Sequence, residues 1–325
     1  MEREPPTLDD CRAAARTIAA RILRTPVFSS RSLSERIGQE AWLKAELFQR
    51  TGSFKFRGAT NRVASMGTGE RAAGAVTVSA GNHAQAAALA CAQAGVDLVV
   101  FMPRSASAAK VAATRGYGAT VDLESADGAE GFARMHAFAS QTGRVVLHPF
   151  DDPRVIAGAS TVGLELCEQI ARPGAVLVPA SGGGLLAGVA IAVKELAPSC
   201  RVVAVAPAAT ATLAASPHGA RAASGIGPPR GTIADALTAP HIGELNLRIA
   251  TERVDEVVHV SEEQIAAGLR FIYARAKLAC EAGAAVGVAA LLAGRVSALG
   301  DGPVVAVVSG GNITPQAAAA LLAAG

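Results

Sequence analysis

A lysine held between two aromatic rings is the first feature of this chain that could do chemistry. Thr51-Gly52-Ser53-Phe54-Lys55-Phe56-Arg57-Gly58-Ala59 places Lys55 beside Phe54 and Phe56. An ordinary lysine is a solvated surface charge, because burying an ammonium is costly. Flanking aromatics suit a partly buried amine instead, and desolvation lowers its pKa toward the neutral form that attacks an aldehyde. Three further segments put glycines and small polar residues where a strand hands over to a helix or a turn, which is where open α/β sheets place ligands. In Ser79-Ala80-Gly81-Asn82-His83 the plain reading is a helix cap. The functional reading is an anion site at a helix N-terminus, with Ser79, Asn82 and His83 suited to a carboxylate and a phenolic oxygen. Ser181-Gly182-Gly183-Gly184-Leu185 lets several amides converge on a phosphate without side-chain obstruction. Ser309-Gly310-Gly311-Asn312 taken alone reads as a turn.

The elements that must position these groups are short β-branched runs alternating with Ala- and Leu-rich stretches. The runs are Ala75–Val78, Val96–Phe101, Ala119–Leu123, Val145–Leu147, Ala175–Val178, Val202–Val205, Val257–Val260 and Val304–Val308. Continuous apolar runs fit strands buried on both faces, so the pattern predicts parallel open sheets flanked by helices. Ser261-Glu262-Glu263-Gln264 has the spacing of a capping box and announces a helix. Residues 74–147 form one compact strand-helix series. A larger series runs from Ala175 onward, which gives two lobes: 1–73 with 148–325, and 74–147 as a smaller mobile unit. Pro207 to Gly231 reads as an irregular insertion.

Composition removes several function classes. The chain has 325 residues, 50% of them hydrophobic, which is enough for a sizeable core in more than one lobe. A formal charge of +3 without a basic block leaves no electrostatic footprint for nucleic acid or an anionic membrane. The N-terminus has no hydrophobic leader, and the uncharged stretch Ala175 to Val193 is cut by Pro179 and the glycine run. Cys11, Cys91, Cys167, Cys200 and Cys280 form no CxxC pair and read as reduced thiols of a cytoplasmic protein. His136, His148, His218, His241 and His259 have no metal-site spacing, so no metal is expected. Gly182-x-Gly184-x-x-Ala187 also satisfies a loose dinucleotide fingerprint. That reading needs an acid at the end of the next strand, where Ala206-Pro207 stands instead.

Taken in this order, the four segments resemble the fold-type II pyridoxal-phosphate enzymes (tryptophan synthase β-like), specifically the threonine/serine dehydratase and serine racemase branch. The likeness covers nearly the whole chain and extends to Thr232-Ile233-Ala234-Asp235 and Arg275 to Ala284. It implies pyridoxal 5'-phosphate carried by Lys55 as a Schiff base. Phe54 would pack beside the ring, Asn82 would hold the ring hydroxyl, and Gly182, Gly183, Gly184 and Leu185 would cradle the phosphate. Ser309 would face the pyridine nitrogen, a neutral partner that leaves the ring a milder electron sink. Ser79, Ala80, Asn82 and His83 would hold a substrate carboxylate, with Glu281 standing behind them. The implied reaction is β-elimination of water from an L-β-hydroxy amino acid, with Lys55 as base, giving a 2-oxo acid and ammonia.

Departures from the branch narrow the expectation. The racemases have a second serine where this chain has Ala80, and a methyl cannot exchange a proton, so elimination without appreciable racemisation is expected. Cysteine synthases carry Thr-Gly where His83-Ala84 stands. Many relatives bind a divalent cation through an acid just before the proline of Ala206-Pro207, and that ligand is missing. Ala236 replaces a common glycine, and its methyl would trim the pocket and alter substrate choice; the alternative substrate is another β-hydroxy amino acid such as 3-hydroxyaspartate. The sequence ends soon after the Ser309 segment, so isoleucine feedback through an appended regulatory domain is not expected. The remaining alternatives are a serine racemase and a non-catalytic amino-acid sensor, and the resemblance implies a homodimer or homotetramer.

Overall fold

The computed structural model describes residues 3–216, 219–223 and 231–323. Its strands are β1 Val27–Ser29, β2 Ala41–Ala45, β3 Ala75–Val78, β4 Leu98–Pro103, β5 Thr120–Ser125, β6 Val145–Val146, β7 Ala175–Pro179, β8 Arg201–Pro207, β9 Leu213–Ser216, β10 Gly219–Ala222, β11 Glu256–Val260 and β12 Val304–Val308. They form a six-stranded sheet ordered β1-β2-β12-β7-β8-β11, a four-stranded sheet ordered β5-β4-β3-β6 and a two-stranded hairpin of β9 and β10. Only β1 runs antiparallel in the larger sheet, and the smaller sheet is wholly parallel. The fold is a two-sheet α/β structure with helices packed on its parallel sheets.

The apolar runs are continuous because both faces of the central strands are covered. Along β12, Val304, Ala306 and Val308 meet one cluster, with Ile265, Leu269, Val286 and Ala289. Val305 and Val307 meet the other, with Leu186, Val189, Ala190 and Val193. Each such valine or leucine taken fully out of water contributes roughly 1.5–3 kcal/mol. The smaller sheet repeats the arrangement: Val100 and Leu98 pack on the Asn82–Ala94 helix, while Val76, Val78 and Phe101 surround Met135. At Ser261 the capping box forms as expected. Its hydroxyl accepts the Gln264 amide at 3.3 Å, and the Gln264 side chain accepts the Ser261 amide at 2.9 Å.

Two parts differ from the sequence expectation. β1 and β2 were not legible, because β2 carries Lys44 in mid-strand and charged residues rarely sit in buried strands. Lys44 is fully buried, and its ammonium donates to Glu165 at 2.6 Å and to the Thr25 carbonyl at 2.8 Å. The Pro207 to Gly231 segment, expected to be irregular, contains the β9–β10 antiparallel hairpin; residues 217–218 and 224–230 of it lie outside the described part. All five cysteines are free. Among the described residues no helix is long and apolar enough to cross a membrane, and no group of three or more His, Cys, Asp or Glu could hold a metal ion.

Candidate active site

Lys55 opens the helix Lys55–Ala64, and the chain reaches it through an unusual backbone. Thr51 and Gly52 both have left-handed φ, +61° and +73°. That conformation is costly for a threonine, and neighbours hold it. The Asn312 amide donates to the Thr51 carbonyl at 2.8 Å, and the Gly311 N–H donates to the Gly52 carbonyl at 2.9 Å. Ser53 bridges Gly310 in antiparallel fashion, and the Phe54 N–H donates to the Ser309 carbonyl at 3.1 Å. The lysine segment is thus sewn to the end of β12, where buried Ser309 stands. On its other side the helix is anchored by Arg57, fully buried, whose guanidinium donates to Glu46 at 2.7 Å and to Glu165 at 2.6 Å. With Lys44, two cations and two carboxylates balance inside the core, which is how buried charges persist.

The Lys55 amine donates to the Pro149 carbonyl at 2.7 Å and lies 5.3 Å from the centre of the half-buried Phe54 ring. Burial pushes its pKa down to about 8, so a far larger fraction of it is neutral and nucleophilic near neutrality than for a solvated lysine, although the ammonium still predominates at pH 7.

The glycine loop follows β7 and opens the helix Gly184–Leu196 with no side-chain cap. In a trans peptide the N–H points opposite to the preceding C=O, so the carbonyl partners reveal where the amides aim. The Ser181 carbonyl is taken by the Thr212 hydroxyl at 2.6 Å, and the Gly182 carbonyl by the Asn246 amide at 2.7 Å and the Gly243 N–H at 3.2 Å. The Gly183 carbonyl accepts the Ala187 N–H at 2.8 Å within the helix. The amides of Gly182, Gly183 and Gly184 therefore turn the other way, and Leu185 adds a first-turn amide that no helical carbonyl takes. Glycine is required at each position. A Cβ on Gly182 would land on the Phe150 ring and one on Gly184 would stand 3.0 Å from the Phe150 carbonyl oxygen. Gly183, at φ +92°, would meet Asn246 at 2.7 Å.

Asn82 begins the Asn82–Ala94 helix, and its amide orientation is fixed. Its Nδ2 donates to buried Glu281 at 2.6 Å, while its Oδ1 accepts from Asn312 at 2.7 Å, which leaves its second N–H free to donate. Burial pushes Glu281 up to about 7, with Asp235 adding to the rise and Lys110 opposing it. Ser79 and Ala80 are half-buried just before the helix, and the Ser79 hydroxyl accepts the Gly81 N–H at 3.1 Å. His83 is placed differently from the other three carboxylate candidates. Its ring is buried in the smaller lobe, with Nε2 3.1 Å from the Thr77 hydroxyl and 3.2 Å from the Leu147 carbonyl, and burial pushes its pKa down to about 3. What His83 leaves at the helix N-terminus is its backbone amide.

The structure brings Lys55, Phe54 and Ser309 together through Ser53 and Gly310, and brings Asn82 to the same place through Glu281 and Asn312. A Cβ on Gly310 would stand 2.5 Å from the Glu281 carboxylate and 3.2 Å from the Asn82 amide nitrogen. Residues missed at the sequence level are Asn246, Pro149 and Phe150, and the role of Asn312. Asn246 is a lone asparagine in a helix, and nothing in its local pattern marks it.

These groups fit pyridoxal 5'-phosphate: converging amides without Cβ atoms for the phosphate, a desolvated amine for the aldehyde, and an oriented Asn N–H for the ring hydroxyl. Comparison with known proteins agrees. Residues 18–310 match the family model described as pyridoxal-phosphate dependent enzyme. An L-threonine ammonia-lyase of Thermotoga maritima is 41% identical over 94% of this chain and 76% of its own length. An L-threo-3-hydroxyaspartate ammonia-lyase of Saccharomyces cerevisiae is 36% identical over 98% of this chain and 96% of its own. The solved structure of maize serine racemase superposes with a TM-score of 0.87 at 33% identity, covering 95% of this chain and 94% of that one. The chain belongs to the family of pyridoxal-phosphate dependent enzymes.

Proposed function

We propose that this enzyme removes water from L-threonine and L-serine and releases the corresponding 2-oxo acid and ammonia. The observation that carries the reading is the desolvated Lys55 amine beside the glycine cradle and the fixed Asn82 amide, with only a methyl at Ala80. When bound, pyridoxal phosphate supplies an electron sink that acidifies the α-proton of an attached amino acid. Gly182, Gly183, Gly184 and Leu185 hold its phosphate, and Asn82 gives its free N–H to the ring hydroxyl. Phe54 packs beside the ring, and Ser309 offers the ring nitrogen a neutral hydroxyl. Ser79 and the amides around Ala80, Asn82 and His83 receive the substrate carboxylate at a helix N-terminus. Lys55 Nζ, lowered to about 8, takes the α-proton as base. Opposite it, Ala80 has no proton to exchange, which supports elimination over racemisation.

The charge near the site supports threonine and serine over 3-hydroxyaspartate. A second substrate carboxylate would need a cation, and Lys110, within electrostatic reach of Glu281, is already paired with Asp235. In this reading residues 74–147 are the lobe that moves over the substrate. The enzyme is a homodimer or homotetramer, with exposed Phe28 and Phe48, packed edge to face, as apolar residues an interface would cover.

The test is to give pyridoxal-phosphate-loaded protein L-threonine, L-serine and the 3-hydroxyaspartates, measuring 2-oxo acid, ammonia and D-serine, with Lys55→Ala as control. Equimolar 2-oxo acid and ammonia from threonine or serine, lost in the control, is the expected result. Preferential turnover of a 3-hydroxyaspartate would move the assignment to that substrate, abundant D-serine would make the enzyme a racemase, and bound cofactor without turnover would favour a sensor.

A further inference from the structure

We propose that His148 is a positioning residue: by accepting hydrogen bonds from the backbone N–H groups of Phe150 and Asp151 it fixes the turn that begins at Pro149 and holds the Lys55 amine and the phosphate cradle in register. The inference rests on the pyridoxal-phosphate reading of the site. His148 stands where the chain leaves β6 of the smaller sheet and enters the Pro153–Gln169 helix of the larger lobe. Its Nδ1 accepts two backbone amides, from Phe150 at 3.3 Å and from Asp151 at 2.8 Å. A neutral imidazole has one acceptor nitrogen, so these two bonds set the tautomer with the hydrogen on Nε2. The ring is gripped between Phe132, with centroids 5.9 Å apart, and Phe150, edge-on at 4.8 Å. Burial pushes His148 down to about 4, which keeps the acceptor lone pair present throughout the neutral range.

The tripeptide fixed by these two bonds touches both the lysine and the glycine loop. The Pro149 carbonyl is the acceptor for Lys55 Nζ at 2.7 Å. The Phe150 ring lies against Gly182, and its carbonyl lies under Gly184. That same carbonyl accepts from Asn246 at 3.1 Å, and Asn246 is the residue that ties back the Gly182 carbonyl at 2.7 Å. Asp151 accepts the Leu245 N–H at 3.2 Å and pairs with Arg3 at 2.6 Å. Phe150 and Asp151 are each only 6% exposed. Without the Nδ1 acceptor two buried N–H groups lose their partner, and the tripeptide that sets both the amine and the cradle is free to shift.

The rival explanation is that the ring only fills space between Phe132 and Phe150, and two variants separate the two roles. His148→Phe keeps the aromatic packing and removes the acceptor. His148→Asn gives up the packing and keeps a side-chain oxygen able to accept the amide two residues on. The readouts are the dissociation constant of pyridoxal phosphate, from visible-absorbance titration of protein stripped of cofactor, and kcat and KM separately. 4'-Deoxypyridoxine 5'-phosphate, which has no aldehyde for Lys55, reports the cradle alone. The expected result is at least a tenfold weaker pyridoxal phosphate affinity in His148→Phe, with the deoxy analogue also weakened, and affinity within threefold of the parent in His148→Asn. His148→Phe within threefold of the parent overturns the proposal, and so does an equal loss in both variants. Should His148→Phe not fold, His148→Asn decides alone: retained affinity supports the role and tenfold loss overturns it. Because cofactor binding is read directly, the result is independent of which amino acid is turned over. A parent protein that binds no pyridoxal phosphate would instead overturn the reading of the site.

Discussion

At the scale of single residues the site is governed by what burial does to one amine. An unfolded-chain lysine titrates near 10.5, while Lys55 is pushed down to about 8 by desolvation. The folded protein therefore sheds this proton first, and between those two values the unfolded chain binds more protons. Two consequences follow from that sign. Cofactor-free protein gains stability as pH rises through the window from about 8 to 10.5, and the increment is absent in Lys55→Met. Capture of pyridoxal phosphate, followed by visible absorbance at constant ionic strength, accelerates with a midpoint near pH 8. A midpoint above 10 would mean that the amine is as solvated as a surface lysine. The aromatics beside Lys55 were the legible part of this effect. The Pro149 carbonyl that accepts its hydrogen bond comes from a residue 94 positions away, and no local pattern encodes such a contact.

At the scale of elements, the peptide planes of the glycine loop are held from behind by Thr212, Gly243 and Asn246, so the proposed cradle of Gly182 to Leu185 is expected to depend on those three residues. Gly183→Ala tests this. Its φ of +92° is left-handed and its new methyl would press on Asn246. The two penalties are about 1–2 kcal/mol for the conformation and about 1–3 kcal/mol for the overpacking. The expected outcome is a cofactor affinity lower by tenfold or more together with a lower melting temperature. Gly128→Ala, with nothing within 4 Å of the added methyl, changes stability by no more than about 0.5 kcal/mol. Equal effects at both positions would show that the loop geometry carries no special cost. The glycine loop's place, between an apolar strand and a helix, was legible in the sequence. So were the strands from β3 to β8, β11 and β12: the central ones, covered on both faces, are apolar runs, and the edge strands β5, β6 and β11 still carry short β-branched stretches. What escaped was short or charged. β1 has three residues, and β2 hides Lys44, whose burial makes sense only once Glu165 and Arg57 are brought beside it by the tertiary fold. The ring of His83 escaped for the same kind of reason: Thr77 and Leu147, which hold it, belong to other strands and loops.

At the scale of the whole molecule, the proposed site lies between the two sheets with the smaller lobe moving over it, so substrate affinity is expected to depend on how firmly that lobe sits against the larger. One ion pair spans them beside the site: Lys110, from the helix Ala108–Gly116, bonds Asp235, which follows the Thr232-Ile233 segment pinned by Glu262. The pair is half open to water, with the side chains 24% and 58% exposed, so it is worth roughly 0.2–1 kcal/mol and is screened by salt. That magnitude is too small to hold the fold together, yet large enough to bias the proposed closure by a factor of about 1.4 to 5. Lys110→Ala is therefore expected to raise KM for L-threonine by about that factor while leaving pyridoxal phosphate affinity unchanged, because the cradle lies wholly in the larger lobe. The parent KM should also rise between low and high ionic strength, and the Lys110→Ala KM should not. Asp235→Asn separates closure from charge. It breaks the same pair but leaves Lys110 as a cation near the site, so its KM for threonine should rise like that of Lys110→Ala while turnover of 3-hydroxyaspartate, relative to threonine, increases. If neither variant moves KM and the salt dependence of the parent is flat, the pair is a surface contact and the lobes are held by their apolar packing alone.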